Sequence, residues 1–236
     1  MILNIKYGRY EYHHVYQYMH TLIHIRAHIH THPHPRTLHT SITPSHLFRH
    51  QLLGIRALDA EATRWSPVQD LTPMVFNTSE VDVTPGPGAG ITVPTAAGER
   101  IVVALAAPFA AGTGGGVVLS DDGGSTWRLS GRANPRGGEA QVAVAQNGSL
   151  LLNSRGPTQG VRWESWSHDA GETWSSPVVS DHGFGSSCEG SVIRAGESLF
   201  FAHPGRIDDR YNRWNMTVWR STDSGANWTA VEQVQQ

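Results

Sequence analysis

From about residue 55 onward, the chain alternates short apolar runs with clusters of Gly, Asp, Asn and Pro. Apolar runs of this length, bounded by turn-forming residues, are typical of strands. The pattern predicts strands at residues 100–106, 116–120, 126–129, 140–145, 149–153, 161–167, 191–194, 199–203 and 216–221. This part of the chain is therefore expected to be all-β.

An octet with the pattern Ser-x-Asp-x-Gly-x-x-Trp occurs three times, and successive copies begin 47 and 54 residues apart. Such an interval is about the length of one four-stranded propeller blade. In each copy the Asp carboxylate can accept hydrogen bonds from backbone N–H groups of its own turn, and the Gly can take a positive φ. The Trp then returns to the hydrophobic layer. The repeated positions, predicted to brace hairpins, are Ser120, Asp122, Gly124, Trp127, Ser167, Asp169, Gly171, Trp174, Ser221, Asp223, Gly225 and Trp228.

Composition narrows the class of protein. The chain has 236 residues, a formal net charge of −2 and only 16% charged residues, so it can form one sizeable core and gives no reason to expect a nucleic-acid partner. The single cysteine, Cys188, excludes an intrachain disulfide. No apolar run approaches the length of a membrane span, and the first residues lack the apolar stretch of a signal peptide.

The first 54 residues differ from the rest, because eleven of the 14 histidines lie in the first 50 residues and concentrate in residues 24–35. Three interpretations stay open: a metal-binding His tract, a low-complexity segment without packed structure, or a translated dinucleotide repeat in an incorrect gene model. The domain prediction takes the second or third interpretation for residues 1–54 and a folded domain for residues 55–236. No metal site and no cofactor are predicted.

Short motifs between the octets occur in a fixed order. They begin at Trp65, Pro85, Glu139, Asn153, Cys188, Ala202 and Arg213. Together with the three octets, which are Asp boxes, they make residues 55–236 resemble the exo-α-sialidase family of glycoside hydrolases. The resemblance implies a six-bladed β-propeller, of which this chain carries a part.

The resemblance also implies site residues. Members of the family bind the carboxylate of sialic acid with three arginines, whose planar and permanently charged groups suit an anion. Arg155 matches the second arginine and Arg213 the third, whereas the structural alternatives are a solvated loop arginine and a strand-flanking charge. Glu139 matches the catalytic glutamate that activates the family's tyrosine nucleophile.

Three groups of the family have no match among the 236 residues: the first arginine, the aspartate that serves as acid/base, and the tyrosine. We therefore expect a sialidase-like protein that is incomplete and inactive as this chain. By resemblance its partners are sialylated glycans, its substrates are glycoproteins, gangliosides and oligosaccharides, and its compartment is the lysosome or the cytoplasm. The alternative is a non-catalytic Asp-box module that binds a glycan or a protein.

Overall fold

The structure is a computed structural model of the chain. It describes residues 6–7, 10–11, 23–29, 50–56, 63–76, 84–86, 88–106, 116–130, 138–156, 162–180, 188–207 and 213–234. Within these ranges, nearly all regular structure is β-strand, with one short helix. The all-β prediction is confirmed.

The first elements precede the region of the Asp boxes. They are β1 (Lys6–Tyr7), β2 (Tyr10–Glu11), β3 (Ile23–Ile29), β4 (His50–Arg56), β5 (Gln69–Asp70) and α1 (Thr72–Phe76). Strands β1 and β2 pair with each other, and β3, β4 and β5 form a second antiparallel sheet.

Strand β3 lies inside the segment that was predicted to be poorly ordered. It pairs along its whole length with β4, which crosses the predicted boundary at residue 54. The sequence of β3, Ile-His-Ile-Arg-Ala-His-Ile, alternates apolar and polar residues along its whole length, and this period of two is the signal of a strand. Because low complexity and a strand period coexist here, the interpretation of residues 1–54 as a separate segment stays a prediction.

Three antiparallel sheets follow, each containing four strands that pair in sequence order, and the first has a fifth, short strand. Blade A contains β7 (Ile91–Thr95), β8 (Gly98–Ala106), β9 (Val117–Ser120) and β10 (Arg128–Leu129), and the short β6 (Thr84–Pro85) also pairs with β8. Blade B contains β11 (Ala140–Val144), β12 (Leu150–Arg155), β13 (Arg162–Ser167) and β14 (Val178–Ser180). Blade C contains β15 (Ser191–Ala195), β16 (Ser198–Ile207), β17 (Arg213–Ser221) and β18 (Thr229–Val234).

All nine strands predicted from the apolar runs are present, with ends that differ by a few residues. Strands β7, β14 and β18 were not predicted. The sequence of β7 contains Pro94, β14 is only three residues long, and β18 mixes apolar and polar residues, so their signals in the sequence are weak. Their pairing to a neighbouring strand, which is a tertiary contact, defines them.

The core lies on both faces of the sheets, because alternate residues of a strand point to opposite sides. On β8, Ile101 and Val103 pack in a cluster with Leu71, which immediately precedes α1, while Val102 and Ala104 pack in a cluster shared with blade B. A third cluster joins blades B and C. Each fully buried Val or Leu stabilises the fold by about 1.5–3 kcal/mol, so the contacts between blades are a principal source of stability.

Each Asp box forms the turn between the third and fourth strands of its blade. In all three boxes the Ser hydroxyl donates to the Asp carboxylate and accepts from the Gly N–H, at 2.8–2.9 Å. The indole N–H of the Trp donates to the Gly carbonyl at 3.1 Å. The Gly has a positive φ as expected, and so does the residue before it, which is Gly123, Ala170 or Ser224.

The boxes also link neighbouring blades. Arg128 of blade A donates to both carboxylate oxygens of Glu172 in the second box, at 2.8 and 2.5 Å. Arg100 of blade A donates to Asp121 at 2.5 Å and to the carbonyl of Ala170 at 3.2 Å. The hydrogen bond from Arg128 lowers the pKa of Glu172, and the one from Arg100 lowers the pKa of Asp121. Four charges therefore form one network across the boundary between blades A and B.

Candidate active site

Glu139 and Arg155 form an ion pair at one end of blade B. Glu139 directly precedes β11 and Arg155 is the last residue of β12, and Arg155 Nη1 donates to Glu139 Oε2 at 2.9 Å. The Arg155 side chain is 28% exposed and the Glu139 side chain 36% exposed. The pair is thus anchored in the sheet and still reaches solvent.

The backbone places these two side chains. The N–H of Arg155 donates to the carbonyl of Glu139, and the N–H of Gly138 donates to the carbonyl of Arg155, both at 2.8 Å. Gly138 and Glu139 therefore both oppose Arg155, as in a β-bulge. Such a bulge redirects side chains at the end of a sheet.

Close contacts from both neighbouring blades hold strand β11. Gly86 is buried, and a Cβ atom at this position would overlap the carbonyl oxygen of Ala140. Gly88, with φ 101°, packs against the side chain of Gln141, whose Oε1 accepts from the N–H of Val192 in blade C at 3.2 Å. Ala140 is thus in contact with blade A, and Gln141 is in contact with blades A and C.

A buried polar cluster lies beside the ion pair. Arg162, the first residue of β13, pairs directly across the sheet with Arg155 and is only 1% exposed. Its Nε donates to Asn153 Oδ1 at 2.5 Å, and its Nη1 donates to the carbonyl of Cys188 at 2.6 Å. Asn153 Nδ2 in turn donates to Glu164 Oε1 at 3.1 Å.

The electrostatics of Arg162 follow from its burial. Burial lowers the pKa of Arg162 to about 10, against the opposing effect of nearby Glu164. The guanidinium therefore stays charged at neutral pH. Its Cζ lies 5.0 Å from the centre of the Phe201 ring in blade C, within the range of a cation–π contact.

The third predicted site residue, Arg213, begins β17, where it pairs with Ile207 of β16. Its side chain lies outside the described part of the chain. Asn215, two residues on, has a φ of 56°, and its carbonyl accepts from the hydroxyl of Thr217 at 2.8 Å. The structure thus brings Glu139 and Arg155 together and places the backbone of Arg213 in the next blade.

Arg162 is not among the site residues that the sequence predicted. One signal was available: Arg162 and Glu164 lie two residues apart in a predicted strand, so both charges point to the same face. Charges on a face that is otherwise apolar indicate a buried polar cluster, but their partners in the next blade are not visible in the sequence.

Within the ranges given above, no three His, Cys, Asp or Glu residues lie close enough together to hold a metal ion. None of the helical structure in these ranges is long and apolar enough to cross a membrane. Half of the His tract at residues 24–35, namely residues 30–35, lies outside the described residues, and so does the metal interpretation that depends on it.

Fold and boxes together define an Asp-box β-propeller protein. The chain belongs to the family of BNR repeat-like domains, which matches residues 32–236. It is 30% identical over 200 residues to a sialidase of Bacteroides fragilis (strain YCH46), a match that covers 78% of this chain and 34% of that protein. It is 32% identical over 113 residues to a sialidase of Paraclostridium sordellii, covering 44% of this chain and 28% of that one.

Solved structures give the same result. The Hadza microbial sialidase Hz136 is 26% identical with a TM-score of 0.62, over 79% of this chain and 38% of that one. The leech intramolecular trans-sialidase has the same TM-score at 20% identity, over 92% of this chain and 36% of its own, and this likeness shows the fold alone. The sialidase-type propeller prediction is confirmed, and the chain spans about a third of the length of these relatives.

Proposed function

We propose that the chain carries part of a sialidase-type site for terminal sialic acids on glycans. In this proposal Arg155 and Arg213 bind the carboxylate of the sugar, and Glu139 is the base that activates a nucleophile. The ion pair between Glu139 and Arg155 is the observation that carries the proposal, because a carboxylate and a guanidinium meet there at a solvent-reachable sheet end.

The chemistry of the pair suits both roles. A guanidinium presents five N–H donors in a rigid fork, so it can serve two carboxylates at the same time. Glu139 in its ionised form is an acceptor and can take a proton from a hydroxyl group within hydrogen-bond distance. A scaffold that only braced hairpins would have no use for this pair at the bulge.

Hydrolysis needs more than these residues. By resemblance, the groups still required are the first arginine, the acid/base aspartate and the tyrosine nucleophile, for which we expect no match among these 236 residues. We propose that the 236 residues bind a sialoside without cleaving it, and that cleavage of glycoproteins, gangliosides and oligosaccharides belongs to an enzyme carrying all six groups. Ganglioside catabolism and a lysosomal or cytoplasmic location belong to the same proposal.

The test is a titration of the purified chain with α-methyl N-acetylneuraminoside, followed by saturation-transfer NMR. The methyl ester of the same sugar, which lacks the negative charge, is the ligand control. We expect the free acid to bind more tightly than the ester, and Arg155→Gln to weaken its binding by about tenfold, as expected for losing a charged hydrogen bond.

The protein control is Arg194→Gln. Arg194 lies on β15, where it donates to the carbonyl of Gly196 at 2.9 Å, and it should not alter binding. Equal binding of acid and ester, or an unchanged affinity of Arg155→Gln, would contradict the proposal. Equal binding would favour the non-catalytic module, and release of a fluorophore from an aryl sialoside would refute the prediction of an inactive chain.

A further inference from the structure

Arg162 is a buried charge that crosses a blade boundary. It is 1% exposed, and the hydrogen bonds from its Nε and Nη1 go to different blades: to Asn153 in blade B and to the carbonyl of Cys188 in front of blade C. Among the described residues, Nη2 of Arg162 is a buried atom with no hydrogen-bond partner. Burying a cation is costly unless it is paired and hydrogen-bonded, so the two hydrogen bonds of this guanidinium matter for the local structure.

The position of Arg162 relates it to the proposed site. It stands directly opposite Arg155 on the neighbouring strand, so the two Cβ atoms lie on the same face of the sheet and close together. Its bond to Asn153 holds the residue two positions before Arg155 on β12. A row of charged residues therefore runs from solvent into the boundary between blades. It consists of Glu139, which directly precedes β11, Arg155 on β12 and Arg162 on β13.

We propose that Arg162 is a positioning residue of the sialoside site: it holds the end of β12, and with it Arg155, in register with the segment that begins at Cys188. This inference rests on the proposed function of Arg155. Arg162 itself does not touch the ligand, because the blades enclose it. Its effect on binding passes through the orientation of the Arg155 side chain.

The shape of the guanidinium is essential to this role. The N–H groups of Nε and Nη1 point in different directions within the plane of the guanidinium. Nε donates to Asn153 at 2.5 Å, and Nη1 donates to the carbonyl of Cys188 at 2.6 Å. A lysine keeps the charge but has a single ammonium group, which cannot reproduce the planar fork. Arg162→Lys therefore separates the effect of geometry from the effect of charge.

Arg100 offers a matched control at the other blade boundary. It too is buried, at 8% exposed, and it also joins its own blade to a backbone carbonyl of the next one, that of Ala170. It lies at the Asp-box end of the sheets, whereas Arg162 lies at the opposite end of β13. Arg100→Lys should weaken contacts between blades in a comparable way without reaching Arg155.

The experiment measures three quantities on the full chain: the melting temperature, the affinity for α-methyl N-acetylneuraminoside, and the NMR signal of the Arg155 Nε–H group, assigned by its loss in Arg155→Gln. We expect Arg162→Lys to weaken sialoside binding by about tenfold. This is the loss expected when a misplaced Arg155 no longer makes its charged hydrogen bond to the ligand. It should also shift the Arg155 signal. Arg100→Lys should lower the melting temperature and leave the other two quantities unchanged.

Asn153→Leu is a second variant that removes the same link from the β12 side, in case Arg162→Lys does not fold. It too should shift the Arg155 signal. The inference is wrong if the signal stays in place in the folded variants, or if Arg100→Lys weakens binding as much as Arg162→Lys does. If the unaltered chain binds no sialoside, the proposed function fails, yet the Arg155 signal still tests whether Arg162 positions Arg155.

Discussion

Arg155 donates from Nη1 to Oε2 of Glu139 at 2.9 Å, across 16 positions of sequence. The contact closes the end of the β11–β12 pair, where Gly138 and Glu139 together oppose Arg155. The pair is therefore a local contact that closes the sheet end. Because both side chains reach solvent, a ligand can also bind to them. The predictions below separate these two properties.

Glu139→Gln should raise the affinity for a sialoside several-fold and change the free energy of unfolding by less than about 1 kcal/mol, since partly exposed ion pairs contribute little to stability. The substitution keeps the size of the side chain and removes a negative charge from beside the proposed carboxylate site. Titration with the sugar and urea denaturation measure the two effects. A loss of affinity like that of Arg155→Gln would instead mean that Glu139 is needed to hold Arg155.

Gly86→Ala should destabilise the protein by about 1–3 kcal/mol, the usual effect of adding atoms to a filled core. The new Cβ would overlap the carbonyl oxygen of Ala140, so β11 or the segment at residues 84–86 has to move. Urea denaturation gives the free energy of unfolding.

The control for this change is Gly116→Ala, whose Cβ would meet only the end of the flexible Leu129 side chain, at 3.3 Å. It should cost much less than Gly86→Ala. Similar losses from both substitutions would show that the contact between Gly86 and Ala140 is not the cause.

Asp169→Asn should reduce the dependence of stability on pH in acid. Burial raises the pKa of Asp169, but hydrogen bonds from Thr173 and Ser167 outweigh it, so the pKa in the folded protein is below the ordinary value of 3.8. The folded state then binds fewer protons than the unfolded state, and the stabilisation present above pH 3.8 is lost as pH falls through the folded pKa.

Urea denaturation at a series of pH values, from neutral down to acid, measures the slope of the free energy of unfolding against pH. Glu197→Gln is the control, because the Glu197 side chain is 86% exposed on the β15–β16 turn. A slope for Asp169→Asn that equals the slope of the unaltered protein would contradict the assignment of a stabilising role to the Asp169 carboxylate.

Much of the fold was predictable because its signals are local. An Asp box braces a turn of eight residues, and these hydrogen bonds of the Ser167 and Asp169 side chains stay within that turn. The positive φ of Ala170 was not predicted, because alanine gives no signal of a left-handed backbone. That conformation follows from the bonds on either side of it.

The candidate site was predictable only in part. The motifs located Glu139 and Arg155 without showing that the two would meet, and they gave no role to Arg162, whose acceptor at Cys188 lies 26 positions away. The motif that begins at Pro85 did not show that Gly86 packs on β11, which its lack of a side chain permits.

By itself, the sequence determined most strands of the three blades, the Asp-box turns and the number of repeated boxes, because these depend on the period of apolar residues and on hydrogen bonds within a few residues. Only the tertiary structure decided which charges are paired at the surface and which are buried between blades. The physical reason is that burial and pairing depend on atoms from strands that are distant in sequence. The same octet that marks each turn therefore says nothing about the chemistry at the opposite end of the sheet.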